Sequence, residues 1–189
     1  MAHKEQKQFC KQVRNLFPQQ FRGVKVVDVG SLDINGNNRY LFKRTKYTGI
    51  DIVNGRNVDI IGKAHEVLSM FTNVDTIIST ECLEHDKYWK ETLLAMYYSL
   101  APEGLMVITC GGEGRQEHGT TRHHGWCSPA TNDYYMNITN EMFASVLSPD
   151  MFEVYHLGQQ RKSHDLQFYG KRKSFTAREI YSKLLNKTA

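Results

Sequence analysis

The stretch VVDVGSLDINGNNRYLF, residues 26–42, joins a valine-rich run to a loop in which Asp28, Gly30, Ser31, Asp33, Asn35 and Gly36 crowd together. Glycine lets a ligand approach the backbone, and successive N–H groups bind a carboxylate or phosphate. Asp51 ends a second apolar run 21 residues after Gly30, where a carboxylate accepts hydrogen bonds from ribose hydroxyls. The ensemble points to an adenosine-containing ligand. A dinucleotide would need G-x-G-x-x-G closing on a helix N-terminus, and the wide spacing from Gly30 to Gly36 lacks it. No Walker A lysine motif is present either. Acidic and amide side chains suit a ligand carrying an ammonium and a sulfonium better than one carrying two phosphates.

A second chemical cluster fills residues 111–139, GGEGRQEHGTTRHHGWCSPATNDYYMNIT, which has little helical or strand pattern. Loops beyond about 12–15 residues are usually functional or disordered. This one reads as a lid over a substrate. His118, flanked by Glu117 and Arg115, is the first candidate for a general base, and His85 the second, because an imidazole titrates near neutrality. His85 reads equally well as a helix-entry residue holding a backbone group. Arg115 and Arg122 are suited to clamp an acidic group, while Trp126, Tyr134 and Tyr135 are suited to stack on a sugar or planar ring. His118, His123, His124 and Cys127 lie within ten residues, but their spacing only half meets the zinc pattern, so no metal is expected.

The elements that must hold these residues alternate. Residues 3–17 place Phe9, Val13, Leu16 and Phe17 on one helical face, stopped by Pro18. Strands follow at GVKVVDVG, YTGIDI (47–52) and NVDII (57–61), then a short helix over 64–71 and a strand at 73–80. Trp89, Leu93, Met96 and Leu100 recur at helical spacing over 86–100. APEG (101–104) predicts a turn and LMVITC (105–110) a fifth strand. A helix near 140–147, opened by Thr139, precedes an antiparallel hairpin of residues 151–158 and 164–171. Thr176 and Glu179 form a capping box for a last helix. Such alternation predicts an α/β fold with a mostly parallel sheet and helices on both faces. Ligands then bind at the carboxyl ends of the strands.

Composition sets bounds on this reading. At 189 residues, 40% hydrophobic and 23% charged, the chain suits a single domain, with an N-terminal helix (1–18), the lid (111–139) and a basic C-terminal helix (174–189). No run approaches the ~20 apolar residues of a membrane span, and no signal-peptide core is visible. Cys10, Cys82, Cys110 and Cys127 are widely spaced and read as free thiols, which suggests a cytoplasmic protein. Net charge is +4, yet residues 161–189 hold eight Lys/Arg against Asp165 and Glu179. That basic end reads as a solvated face, with RNA as the alternative partner.

Four segments, VVDVGSLDINGNNRYLF, YTGIDIVNGRNVDIIGKAHEV, VDTIISTECLEH and LAPEGLMVITCGG, follow in order the motifs of class I S-adenosylmethionine-dependent methyltransferases. The chain resembles small bacterial and phage-type members with a G-S-L-D-x-N-G loop, over residues 24–171. The resemblance implies a Rossmann-like seven-stranded sheet with the last strand antiparallel. It implies that Asp28, Gly30, Ser31 and Gly36 line the methionine part of the cofactor, Asp51 holds the ribose and Ile52 packs on adenine. Gly62, Lys63 and Ala64 would meet the adenine edge, and Thr80, Glu81 and Cys82 the sulfonium. Lys63 departs from the family, which often has an acid there. Leu83 reads as core, and Cys82 and Cys110 also as small apolar fillers.

The expected activity is methyl transfer to O or N of a small polar acceptor, a sugar or an acidic metabolite. RNA methylation and a non-catalytic cofactor-binding module are the alternatives. No proline precedes a cysteine and strand four ends STECLEH. The cytosine-C5 nucleophile and the Asn/Asp-Pro-Pro-aromatic motif of exocyclic-amine methylation are therefore both missing.

Overall fold

A computed structural model describes residues 3–128 and 130–174. Helix α1 (Lys4–Leu16) leads into β1 (Lys25–Val29), β2 (Lys46–Asp51) and the two-residue β3 (Ile60–Ile61). Helix α2 (Ala64–Val67), β4 (Val74–Thr80), α3 (Trp89–Ser99) and β5 (Leu100–Gly111) follow. After the long loop come α4 (Asn140–Val146), β6 (Phe152–Gln159) and β7 (Asp165–Arg172). The strands form one seven-stranded sheet in the order β3-β2-β1-β4-β5-β7-β6. Strands β1 to β5 pair in parallel, and β7 runs antiparallel to both β5 and β6. This is the Rossmann-like arrangement expected, with its order reversing between β1 and β4.

Alternation along the strands builds two cores. Val27, Val29, Ile77, Met106 and Ile108 face α3 and α4, where Leu93, Met96 and Phe143 meet them. Val26, Ile78, Leu105 and Val107 point the other way, onto Phe9, Cys10 and Val13 of α1 and onto Phe21, Leu41 and Phe42. The β1 and β4 side chains therefore contribute to both layers.

Three local expectations are corrected. Leu16 is 59% exposed, and the buried stripe of α1 is Gln6, Phe9, Cys10 and Val13. Gln6 is tolerated inside because its amide donates to Asn38 Oδ1 at 3.3 Å. The APEG turn lies within β5, where Glu103 takes φ 61° and the pairing with β4 shifts register between Val74 and Thr76. The 64–71 helix is one α-turn followed by a 3-10 turn at Leu68–Met70. Apart from Ser174, the expected C-terminal helix and its Thr176–Glu179 box lie outside the described residues.

Among the described residues no helix is long and apolar enough to cross a membrane. The last basic residues among those described are engaged with their own chain. Lys171 pairs with Glu103 at 3.8 Å, Arg172 donates to the Leu100 carbonyl and lies over the Tyr97 ring, and Lys173 donates to the Asp150 carbonyl at 2.7 Å.

Candidate active site at the carboxyl ends of the strands

A cavity of about 360 Å³ opens where β1 and β4 part. Asp28, Gly30, Ser31, Gly36, Asp51, Ile52, Gly62, Lys63, Ala64, Thr80, Glu81 and Cys82 all line it. At its back Asp28 is 2% exposed and accepts the Tyr47 hydroxyl at 2.5 Å. Burial pushes the Asp28 carboxyl up to about 7, against the hydrogen bonds of Tyr47, Asn38 and Asn57. The loop after β1 is anchored to β2, since Gly30 and Ser31 N–H both donate to the Ile50 carbonyl, at 2.9 and 3.0 Å. Gly30 sits at φ 73°, and a Cβ there would fall 2.4 Å from Cys82 Sγ. Glycine is required by both the backbone and the neighbour. Asp33 folds the loop tip by accepting Gly36 N–H and Asn37 Nδ2, each at 2.7 Å, with Arg56 3.0 Å away.

The side of the cavity expected to take adenosine is built by β2 and α2. Asp51 Oδ2 accepts Leu32 N–H at 3.0 Å, which joins the β1 loop to the end of β2. Burial raises its pKa, opposed by the backbone N–H groups of Leu32, Val53 and Ile52. Ile52 is 40% exposed, offering a flat apolar surface. Lys63 pairs with Glu66 at 3.4 Å and lies over the ring of Tyr88, which also lines the cavity.

At the end of β4 the backbone turns sharply, with Glu81 at φ 55°. Such conformations in non-glycine residues cluster at functional sites. Glu81 accepts the Thr109 hydroxyl at 2.9 Å and lies 3.5 Å from His3 Nε2. Burial works against its ionisation, but the His3 hydrogen bond and the His3 and Arg115 charges hold it down to about 2. Glu84 and His85 follow in a 3-10 turn, both buried. Burial and the Glu81 charge push Glu84 up to about 8, while burial and the neighbouring His118 push His85 down to about 4. His85 lines the cavity, and its ring stands 5.2 Å from that of His118 and 5.3 Å from that of Tyr135.

The long loop expected to act as a lid divides into an inner and an outer set. Cys127, Ser128, Ala130, Thr131 and Asp133 line the cavity, and Asp133 meets Lys87 at 2.5 Å across its mouth. Its returning chain is stitched down by Met136 N–H to Glu84 O at 2.8 Å and Ile138 N–H to Gly111 O at 2.9 Å. His118 and Tyr135 are tucked behind His85. Arg115 turns inward to Asp165 at 3.2 Å and to the Ser163 carbonyl at 2.6 Å, away from any acceptor. Glu117 faces outward, gripping Arg122 through both oxygens and accepting the Thr120 hydroxyl. Trp126 is 64% exposed. Tyr134 reaches the Met136 sulfur at 3.7 Å. His118, His123, His124 and Cys127 do not converge among the described residues.

Sequence reasoning overlooked His3, Glu84, Asp165, Lys87 and Asp133. His3 caps α1 and reaches Asp165 at 3.0 Å, joining the first helix to the start of β7. No local pattern signals so long-range a pairing. Glu84 carried a signal, since it lies within STECLEH beside His85.

Residues 1–150 match the family model described as a methyltransferase domain. The chain belongs to that family. It is a class I S-adenosylmethionine-dependent methyltransferase. No curated protein matches this methyltransferase in sequence. Among solved structures it is similar to Burkholderia thailandensis 1,6-didemethyltoxoflavin-N1-methyltransferase, bound to 1,6-didemethyltoxoflavin and S-adenosylhomocysteine. The TM-score is 0.61 at 16% identity, covering 89% of this chain and 78% of that one. A SAM-dependent methyltransferase from Archaeoglobus fulgidus aligns with TM-score 0.60 at 14% identity, over 88% and 94% of the two chains. Haemonchus contortus phosphoethanolamine N-methyltransferase 2, with phosphomonomethylethanolamine and S-adenosylhomocysteine, gives TM-score 0.61 at 14% identity. That match covers 89% of this methyltransferase but 53% of the other chain.

Proposed function

We propose that this methyltransferase acts on a small polar acceptor, a sugar or an acidic metabolite, in the space between the β4 turn and the lid. The observation that carries the reading is one cavity lined on one wall by the β1–β2 cofactor residues and on the other by His85 and the lid. Its volume of about 360 Å³ falls within the ~300–1,000 Å³ range of small-molecule sites. Relatives crystallised with 1,6-didemethyltoxoflavin and with phosphomonomethylethanolamine support the same size class.

Bound cofactor supplies an activated methyl group on a sulfonium. The chain's own residues orient and enclose it. Asp51 receives the ribose hydroxyls, Ile52 packs on adenine, and Gly62, Lys63 and Ala64 border the adenine edge. Asp28, Gly30, Ser31 and Gly36 surround the methionine portion, and Thr80, Glu81 and Cys82 border the sulfonium. A sulfonium methyl needs in-line alignment more than it needs acid, and positioning supplies much of such a rate. His85, neutral near pH 7 because its pKa is held at about 4, presents a ring nitrogen at the acceptor end, with His118 and Tyr135 behind it. Glu117 and Arg122 brace the lid, and the Lys87–Asp133 pair latches it.

Transfer of isotope-labelled methyl from S-adenosylmethionine to panels of sugars, hydroxy acids and small amines tests the reading. Label in one of these classes, lost in His85→Gln, is expected. Label entering RNA alone would overturn it in favour of a nucleic-acid substrate. Tight cofactor binding with no acceptor in any class would mark a binding module instead.

A further inference from the structure

Behind the cavity wall, five buried polar atoms meet without partners. Both carboxylate oxygens of Glu84, His85 Nδ1, His118 Nε2 and the Tyr135 hydroxyl form no hydrogen bond among the described residues. Glu84 is 0% exposed. Leaving buried polar groups unsatisfied is costly, so five together call for a bound partner such as water or an ion.

The chemistry of the three titratable members is that of a metal site. Ligand atoms of Glu84, His85 and His118 all lie within 4.8 Å of one another. A metal-binding imidazole typically fixes its outer nitrogen on a backbone carbonyl, which leaves the other lone pair for the ion. His118 does this, with Nδ1 3.1 Å from the Gln116 carbonyl and Nε2 turned into the cluster. His85 Nδ1 is likewise buried and unpartnered. Space for the rings is built in. Gly119, at φ 66°, passes so close that a Cβ would fall 2.7 Å from His85 Cε1. The lid therefore closes on the cluster with no side chain inserted between.

We infer that Glu84, His85 and His118 hold a divalent transition-metal cation beside the acceptor end of the cavity. Two imidazoles and one carboxylate favour Zn²⁺, Co²⁺, Mn²⁺ or Fe²⁺ over Mg²⁺, which prefers an all-oxygen sphere. Three protein ligands leave coordination positions open. His85 is the member that also lines the cavity, so its ring connects the buried cluster to the acceptor end. This deepens the proposed function, on which it rests for its catalytic meaning, by assigning the acceptor atom as a hydroxyl oxygen. Coordination lowers the pKa of a bound hydroxyl, whose proton leaves to solvent. The oxygen then forms its bond to the methyl carbon while the carbon–sulfur bond breaks and its electron pair stays on sulfur.

The test uses the full chain after chelator treatment. Co²⁺ is titrated by its visible absorbance and Zn²⁺ by calorimetry, on wild type, Glu84→Gln, His118→Gln and Tyr135→Phe, with S-adenosylhomocysteine binding measured in parallel. One equivalent should bind wild type and Tyr135→Phe, while Glu84→Gln and His118→Gln bind at least tenfold more weakly and still bind S-adenosylhomocysteine. X-ray absorption of the Co²⁺-loaded wild type needs no variant and should count two imidazoles. No saturable binding to wild type, binding unchanged in both ligand variants, or an all-oxygen or sulfur sphere overturns the site. Metal binding without cofactor binding would instead sink the transfer reading and leave the cation site standing.

Discussion

The imidazole of His3 lies 3.0 Å from the Asp165 carboxylate, although the two residues stand near opposite ends of the chain. Burial alone would lower the His3 pKa, but hydrogen bonds and charges from Asp165 and Glu81 raise it from 6.5 to about 10. The folded state therefore holds the protonated ring more tightly than the unfolded one does. The stabilisation is complete below about pH 6.5 and fades as pH rises to about 10. Thermal melts of His3→Gln and wild type should differ most near pH 6 and converge near pH 10. A gap that stays constant with pH would contradict the ion pair.

Gly30→Ala places a side chain at φ 73° and 2.4 Å from the Cys82 side chain. We expect a loss of about 1–3 kcal/mol in stability, as for other strained or overpacked substitutions. S-adenosylhomocysteine affinity should fall at least tenfold, about 1.4 kcal/mol. Calorimetry and denaturant unfolding read the two effects separately. Cys82→Ala should not rescue the double variant, because the backbone strain remains.

Glu117→Gln should keep methyl transfer within a few-fold of wild type, since Glu117 grips Arg122 on the outer face of the lid. His85→Gln, at a residue that lines the cavity, should lower kcat by at least a hundredfold, about 2.7 kcal/mol of transition-state stabilisation. Steady-state assays on the responsive acceptor compare them. Equal losses would return Glu117 to the chemistry.

The lid latch makes a kinetic prediction. Lys87 and Asp133 are solvent-exposed, and their 2.5 Å contact spans the cavity mouth. Exposed pairs contribute little to stability. Lys87→Ala should leave the melting temperature unchanged while S-adenosylhomocysteine dissociates severalfold faster in stopped-flow experiments. Unchanged dissociation would show that the lid is held elsewhere.

How much of this was legible follows from range. Asp28, Gly30 and Asp51 lie in or just after the end of a strand, so valine-rich runs followed by Asp and Gly place them at the cavity from sequence alone. The mostly parallel sheet and its closing hairpin were legible from the strand-helix alternation, whereas the strand order came only with the structure. The acceptor end was harder. Glu84 reads as an ordinary helix-entry acid until His118 and Tyr135 return from a lid with no regular pattern. Arg115 reads as a clamp by composition, but Asp165 and Ser163 claim it through tertiary contact. On α1, Leu16 fits the helical stripe, yet the burying surface ends before it and Gln6 takes the inner place.

We propose that the cavity at the ends of β1, β2 and β4 holds S-adenosylmethionine. Calorimetric titration with S-adenosylmethionine, S-adenosylhomocysteine and NAD, on wild type, Asp51→Ala and Asp51→Asn, tests it most directly. Micromolar binding of the first two and none of NAD is expected, weakened tenfold or more in Asp51→Ala and less in Asp51→Asn, which keeps an acceptor for Leu32 N–H. Unchanged affinity in folded Asp51→Ala, or NAD binding as tightly as S-adenosylhomocysteine, would contradict the account.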